Sequence, residues 1–409
     1  MTRSLCLYFK VHQPFSLGEY TQSHVGVTHA YGNAVVDEIM INKLADECYL
    51  RANKIILSNI RKTNGSFKIS FSISGTSLAL MALYRPDVIG SFRQLIDTGF
   101  VEILAETYYH SFSFLHSRRE FDRQVHMHDQ LVYQFFGVKP SIFRNTELIH
   151  NNKLAKHVSR LGYNGILCEG SQKILRGRTA NKLYAAPDIE DFSLLLRNPQ
   201  LSDDIAFRFD DKQWNEHPLT AEKFAEWIQS HPIESEVINV SLDYETFGIH
   251  KKEESGIFDF LEALPAAIAA DAGTRFNTPS NIINEYFPRD LYDVPETISW
   301  EDHSAASCFW SENTKQNNTL KKIYGLENIV MQSKDESLQE TWGRLQAADY
   351  IYGMGDNNRQ KNKYINPFNT AQEIYDCLTN IVTDMEITLI TEQLQKHNMH
   401  FMNQTHNVF

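Results

Sequence analysis

Val240–His250 reads VSLDYETFGIH. A β-branched, apolar run leads into two acids, Asp243 and Glu245, and a glycine follows. Residues of a strand alternate sides, so the run places both acids on one side and Tyr244 on the other, in the wall. An acid at a strand end opens an Asx turn as readily as it serves chemistry. The two readings separate only by how the rest of the chain ends its strands.

Outward from this strand, the first two-thirds of the chain alternates short β-rich runs with helical ones. SLCLYFKV (Ser4–Val11), FKISFSIS (Phe67–Ser74), VEILAE (Val101–Glu106) and SIFRNTE (Ser141–Glu147) read as strands. So do GILCEG (Gly165–Gly170), FSLLLR (Phe192–Arg197), IAFRF (Ile205–Phe209) and VINVSLDY (Val237–Tyr244). Several are nearly unbroken apolar runs, as suits strands covered on both faces. Helical stretches such as PDVIGSFRQLIDTG and REFDRQVHMHDQLVYQFFG lie between them and end in Gly99 and Gly137. Such alternation predicts an α/β fold with parallel pairing, and this number of strands suits a barrel. No G-x-G-x-x-G follows the first strand, and no Walker A sequence is present, which disfavours a nucleotide-binding sheet.

Beyond about residue 310 the pattern becomes helical. SLQETWGRLQAADYIYGM and TAQEIYDCLTNIVTDMEITLITEQLQKH open with capping-box spacings, Ser337 to Glu340 and Thr370 to Glu373. With NTKQNNTLKKIYGLENIVMQ they predict a C-terminal bundle of about three helices. The expected division is a catalytic barrel over 1–305 and a helical bundle over 306–409, packed on the barrel.

Composition narrows the function. The 409 residues are 42 % hydrophobic and 12 % aromatic, enough for a large core, with a formal charge of −12 and no basic stripe. Nucleic acid, bound through clustered Lys and Arg, is therefore an unsuitable partner. No run approaches the ~18 apolar residues of a membrane span, and Lys10 and His12 interrupt the first apolar run before it could form a signal peptide. Five scattered cysteines form no CxxC pair, a pattern of buried reduced thiols that predicts a cytoplasmic protein. The RRE at Arg118–Glu120 and the KKEE at Lys251–Glu254 read as solvated charges. The oligomeric state is left open.

Barrel chemistry sits where strands end. Here the ends carry KVHQP with His12, ILAETYYHSF with Glu106 and His110, FRNTELIHNN with Arg144 and Glu147, and SLDYETFG with Asp243 and Glu245. Each has a bland alternative: a packed loop histidine, a carboxylate serving a helix N-terminus, an Asx turn. Four bland explanations at equivalent positions of one architecture are costly, because desolvating charge is costly. Facing carboxylates beside aromatics suit glycoside hydrolysis, in which one acid protonates the leaving oxygen and the other attacks the sugar or activates water. PETISW could line such a site through Glu296 or Trp300, or form a turn.

These motifs resemble glycoside hydrolase family 57, in its α-amylase-like branch. The resemblance covers nearly the whole chain and implies an incomplete (β/α)7 TIM-like barrel followed by a helical bundle. It places His12 of VHQP in the substrate site, with Glu102 and His110 of GFVEILAETYYHSF. It makes Glu147 the nucleophile, Asp243 the acid/base and Glu245 a neighbouring pocket carboxylate. Trp310 of SCFWSENTKQ becomes a sugar-facing aromatic, and Ser307 stands where the family often has an acid. The implied activity is retaining cleavage of α-1,4-glucans (starch, glycogen or maltooligosaccharides) without a metal or cofactor, and Asp243 should have a raised pKa. A 4-α-glucanotransferase would use the same pair. The other classes are a non-catalytic glucan-binding protein and a metal-dependent deacetylase, although none of the sixteen histidines forms an H-x-x-x-H pair.

Overall fold

The computed structural model describes residues 2–300, 310–355 and 368–406. Its strands are β1 Arg3–Val11, β2 Ile69–Ile73, β3 Val101–Leu104, β4 Ile142–Arg144 and β5 Gly165–Glu169, then β6 Leu183–Ala185, β7 Ser193–Arg197, β8 Val237–Asp243, β9 Thr274–Phe276 and β10 Asp290–Leu291. Seven of them close a parallel ring. β1 pairs with β2 and β8, β2 with β3, β4 with β5, β5 with β7, and β7 with β8. A parallel bridge from Ala105 to Phe143 joins β3 to β4. The seam between β7 and β8 is thin, its register pairing Arg197 with Asn239. β6 runs antiparallel to β7, β10 lies outside β6, and β9 runs beside the start of β1.

Strand parity sorts the barrel interior into layers. Cys6, Leu104, Ile142, Leu167, Leu195 and Val237 pack together as an apolar floor with Tyr8. Two residues further along, the same faces carry Glu106, Arg144, Glu169 and Arg197, and Lys10 and Asp243 lie higher still on β1 and β8. The interior thus turns from apolar to charged toward the strands' C-terminal ends. Arg197 answers Glu169 at 3.2 Å, and its other amino group meets Asp203. The opposite parity faces outward to the helices. There Tyr244 stacks on Phe9 at 5.3 Å and on Tyr49 at 5.9 Å and donates to Asn53 Oδ1 at 2.5 Å, which fixes the chain between the two acids.

Some readings of the sequence change. Ile205–Phe209 is not a strand: Asn198 caps Pro199–Asp203, accepting from Leu201 N at 2.9 Å, and the chain continues into a π turn, Asp204–Arg208. The cap and the Arg208 to Asp204 bond at 2.6 Å hold it helical. The helical run from Ala34 to Lys62 likewise contains a π turn, Ala45–Tyr49. Asp335, not Ser337, caps Glu336–Arg344, whereas Thr370 does accept from Glu373 N at 3.1 Å. Lys251 and Glu120 are buried rather than solvated. Lys251 bonds Asp210 and the Phe207 carbonyl, and Glu120 accepts from Gln346 at 3.0 Å. Cys6, Cys48, Cys168 and Cys377 are buried free thiols; Cys308 and Ser307 lie outside the described residues.

The chain divides into two compact units that interleave along the sequence, unlike the contiguous 1–305 and 306–409. The first is Met1–Gln13, Glu38–Tyr108 and Arg123–Ala306; the second is Pro14–Asp37, Tyr109–Asp122 and Ser307–Phe409. The first holds the barrel. The second carries Thr314–Gly325, Glu327–Gln332, Glu336–Arg344, Ala348–Tyr352 and the long Ala371–His406 helix. No helix among the described residues is long and apolar enough to cross a membrane.

Candidate active site

Asp243 ends β8 and stands in register with Lys10 of β1. Lys10 Nζ lies 3.0 Å from Asp243 Oδ1 and 3.6 Å from Glu147 Oε1. One ammonium therefore bridges both sequence-predicted catalytic carboxylates. Those two oxygens can be no further apart than the two contacts laid end to end. Lys10 itself is held firmly charged: burial favours the neutral amine, but Asp243 and Glu147 outweigh it.

Glu147 sits in a 3-10 turn, Thr146–Leu148, directly after β4. Its φ of 52° and that of Leu148, 50°, are left-handed and unfavourable for side chains of this kind. Trp300 clamps the residue from both sides of its peptide: indole Nε1 donates to Glu147 Oε2 at 2.5 Å, and the Trp300 amide donates to the Glu147 carbonyl at 3.4 Å. Arg144, three residues upstream, is buried, and its Nε and Nη1 have no hydrogen-bond partner among the described residues.

Glu245 follows in the turn Tyr244–Thr246 and accepts from Tyr49 OH at 2.5 Å. The π turn of Ala45–Tyr49 delivers that hydroxyl. Gly248 lets the loop return across the same helix: its φ is 101°, and a Cβ there would meet the Glu47 carbonyl at 2.0 Å. Burial, then the charge of Asp243, pushes the Glu245 carboxyl up to about 7. The expected rise at Asp243 is reversed. Burial does push it upward, but Lys10 and His250 outweigh burial and Glu147 and hold it below the usual carboxylate range. Of the two acids, Glu245 is the one that holds a proton more readily.

The remaining expected residues fall in three places. His12, one residue past β1, bonds Ser74 Oγ through Nδ1 at 2.8 Å at the same end of the barrel. Glu102 stands at the opposite end of β3, accepting from Ser280 N at 3.0 Å and Ser280 Oγ at 2.5 Å. There it holds the first turn of Pro279–Glu285, whose N-cap is Thr278, and Glu106, accepting from Ser72 at 2.7 Å, is the carboxylate at the mouth end of this strand. His110 and Trp310 belong to the second unit. There the His110 carbonyl accepts from Ala348 N at 2.9 Å, and Trp310 lies 6.1 Å from the Phe112 ring. Lys10 reads in the sequence only as an interruption of an apolar run, although its parity with Cys6 and Tyr8 places it on the interior face.

A parallel barrel whose mouth joins two carboxylates through one lysine has the make-up of a glycoside-cleaving enzyme. The sequence model of glycosyl hydrolase family 57 matches residues 6–295. The chain belongs to this family. It is 36 % identical over 393 residues to a Methanocaldococcus jannaschii protein named "Putative alpha-amylase", covering 92 % of this chain and 83 % of that one. Among solved structures it resembles a family 57 branching enzyme of Pyrococcus horikoshii, with a TM-score of 0.66, 16 % identity, and 89 % and 88 % of the two chains covered. It also resembles the 4-alpha-glucanotransferase of Thermococcus litoralis, with a TM-score of 0.65 and 16 % identity. That match covers 86 % of this chain and 56 % of the transferase, so the chain spans just over half that enzyme's length. At such identities the structural likeness establishes the fold.

Proposed function

We propose that this chain cleaves α-1,4-glucosidic bonds of starch, glycogen or maltooligosaccharides by a retaining double displacement. The observation that carries the reading is Lys10 bridging Glu147 and Asp243, which favours the ~5–5.5 Å carboxylate separation of retaining enzymes. Glu147 attacks the anomeric carbon as Asp243 gives a proton to the departing oxygen. Asp243 then takes a proton from water, which attacks the same carbon and releases Glu147. Asp243 is held ionised at rest, so it needs a proton before the first step. Glu245 holds one near neutrality, and a seated glucan that excludes water raises the Asp243 pKa.

Lys10 orients both carboxylates and offsets their repulsion. Trp300 fixes the attacking one, leaving its other oxygen toward Lys10. The test is Glu147→Gln. It should lower release of reducing ends from maltoheptaose by ~10⁴-fold or more while circular dichroism stays unchanged; near-wild-type turnover would remove Glu147 from its role. Sizing the wild-type products decides between water and sugar as acceptor: only shorter chains mean hydrolysis, and longer ones mean a 4-α-glucanotransferase.

A further inference from the structure

Phe207 is a large aromatic left in solvent. Its side chain belongs to the π turn Asp204–Arg208, and the residue is 56 % exposed. An exposed phenylalanine by itself needs no explanation, but this one is held in a fixed place. Its carbonyl accepts from Lys251 Nζ at 3.1 Å, and Lys251 is buried and paired with Asp210. Lys251 in turn belongs to the loop that leaves Glu245, its carbonyl accepting from Gly248 N at 2.9 Å.

The Phe207 ring stacks on Trp300, with centroids 6.3 Å apart and planes 17° from parallel. Trp300 is the residue that clamps Glu147. The two rings therefore connect the loop that leaves Glu245 to the turn carrying Glu147. Their planes are near parallel, and Trp300 reaches Glu147 through its indole N–H.

Resting on the α-glucan reading above, we propose that Phe207 is a substrate-binding residue: with Trp300 it forms a platform for a glucose unit beyond the one undergoing cleavage. The C–H faces of pyranose rings are apolar and match flat aromatic surfaces, while their hydroxyls stay at the rim. The π turn is the device that makes this possible. One extra residue in the helical turn projects a ring that a regular helix would place elsewhere, and such turns gather at functional sites. Pinning through Lys251 keeps the platform ordered before substrate arrives, so little freedom is lost on binding.

The platform predicts a dependence on chain length. For wild type, Phe207→Ala and Phe207→Tyr, kcat and KM are measured on maltooligosaccharides from maltotriose to maltoheptaose, with sizing of the products. Phe207→Ala should lower kcat/KM by about five- to tenfold on long substrates, mostly through KM. It should leave the shortest cleaved substrate nearly unchanged and shift the bond that is cut. Phe207→Tyr, which keeps the ring, should retain wild-type values. An active wild type with Phe207→Ala equal to it at every length, or reduced equally at every length, would overturn the platform alone. A wild type that leaves every maltooligosaccharide intact would overturn the α-glucan reading and the platform with it.

Discussion

Replacing Lys10 by methionine keeps the length of the side chain and deletes its charge. The ammonium lies 3.0 Å from Asp243 and 3.6 Å from Glu147. At an effective dielectric near 20, unit charges at such distances attract by about 5 kcal/mol. The Asp243 side chain is 44 % exposed, so screening cuts its share to about 1–2 kcal/mol, roughly one pKa unit. In the wild type burial raises the Asp243 pKa, but Lys10 and His250 bring it below the ordinary value. Without Lys10, burial and Glu147 act against His250 alone, and the pKa rises. A depressed carboxylate contributes stability that is present above its unfolded pKa of ~3.9 and is lost as pH falls through the folded value. K10M should therefore show a flatter dependence of Tm on pH below about 4. Because Asp243 would hold its proton to higher pH, the kcat/KM profile should move up by about one unit, with the maximum lowered ~10²-fold by the loss of orientation. Initial rates on maltoheptaose across pH, with calorimetric Tm on the same buffers, read both effects. A K10M profile superimposable on wild type, at equal rates, would refute the bridging role.

Two more substitutions test neighbouring parts of the site. Glu245→Gln should remove a pH-dependent loss of stability: the folded protein holds a proton at about 7 that the unfolded chain releases near 4.3, so wild-type stability falls by ~3 kcal/mol between those values. In E245Q the Tm should be flatter across this window, and an unchanged slope would sink the assignment. Trp300→Phe keeps a ring but deletes the N–H that reaches Glu147; kcat should fall about tenfold or more with a smaller change in KM, and an unaltered kcat would show that the clamp is dispensable.

Much of the barrel was legible because its strands are long apolar runs. β2, β3, β4, β5, β7 and β8 fall inside the runs read as strands, β1 exceeds its run only by Arg3, and the candidate acids Glu147 and Asp243 lie at or just past the ends of β4 and β8. β6, β9 and β10 are only two or three residues long, too short for a periodic pattern. Lys10 was legible in principle but looked like an interruption of an apolar run; its meaning depends on β8 lying beside β1 in a register that brings Asp243 opposite it. The Trp300 clamp joins residues 153 apart in the chain, and no local spacing announces it. Glu102 misled for a related reason: proximity to His110 in sequence hides the fact that a strand separates its two ends, and Glu102 occupies the wrong one.

The irregular backbone lies at the proposed site. Glu147 and Leu148 take left-handed φ values at the end of β4, and a π turn brings Tyr49 to Glu245. Another π turn, at the segment misread as a strand, brings Phe207 to Trp300. Unfavourable backbone of this kind costs about 1–3 kcal/mol per residue and persists only where surrounding contacts over-determine it. Here they do: Trp300 holds the Glu147 peptide, the aromatic layer holds Tyr244 between Asp243 and Glu245, and Lys251 holds the Phe207 carbonyl. Regular strands supply the rigid frame, and these departures aim the side chains that strand and helix periods cannot reach. Sequence periodicity therefore fails at the mouth for the same physical reason that the mouth can work.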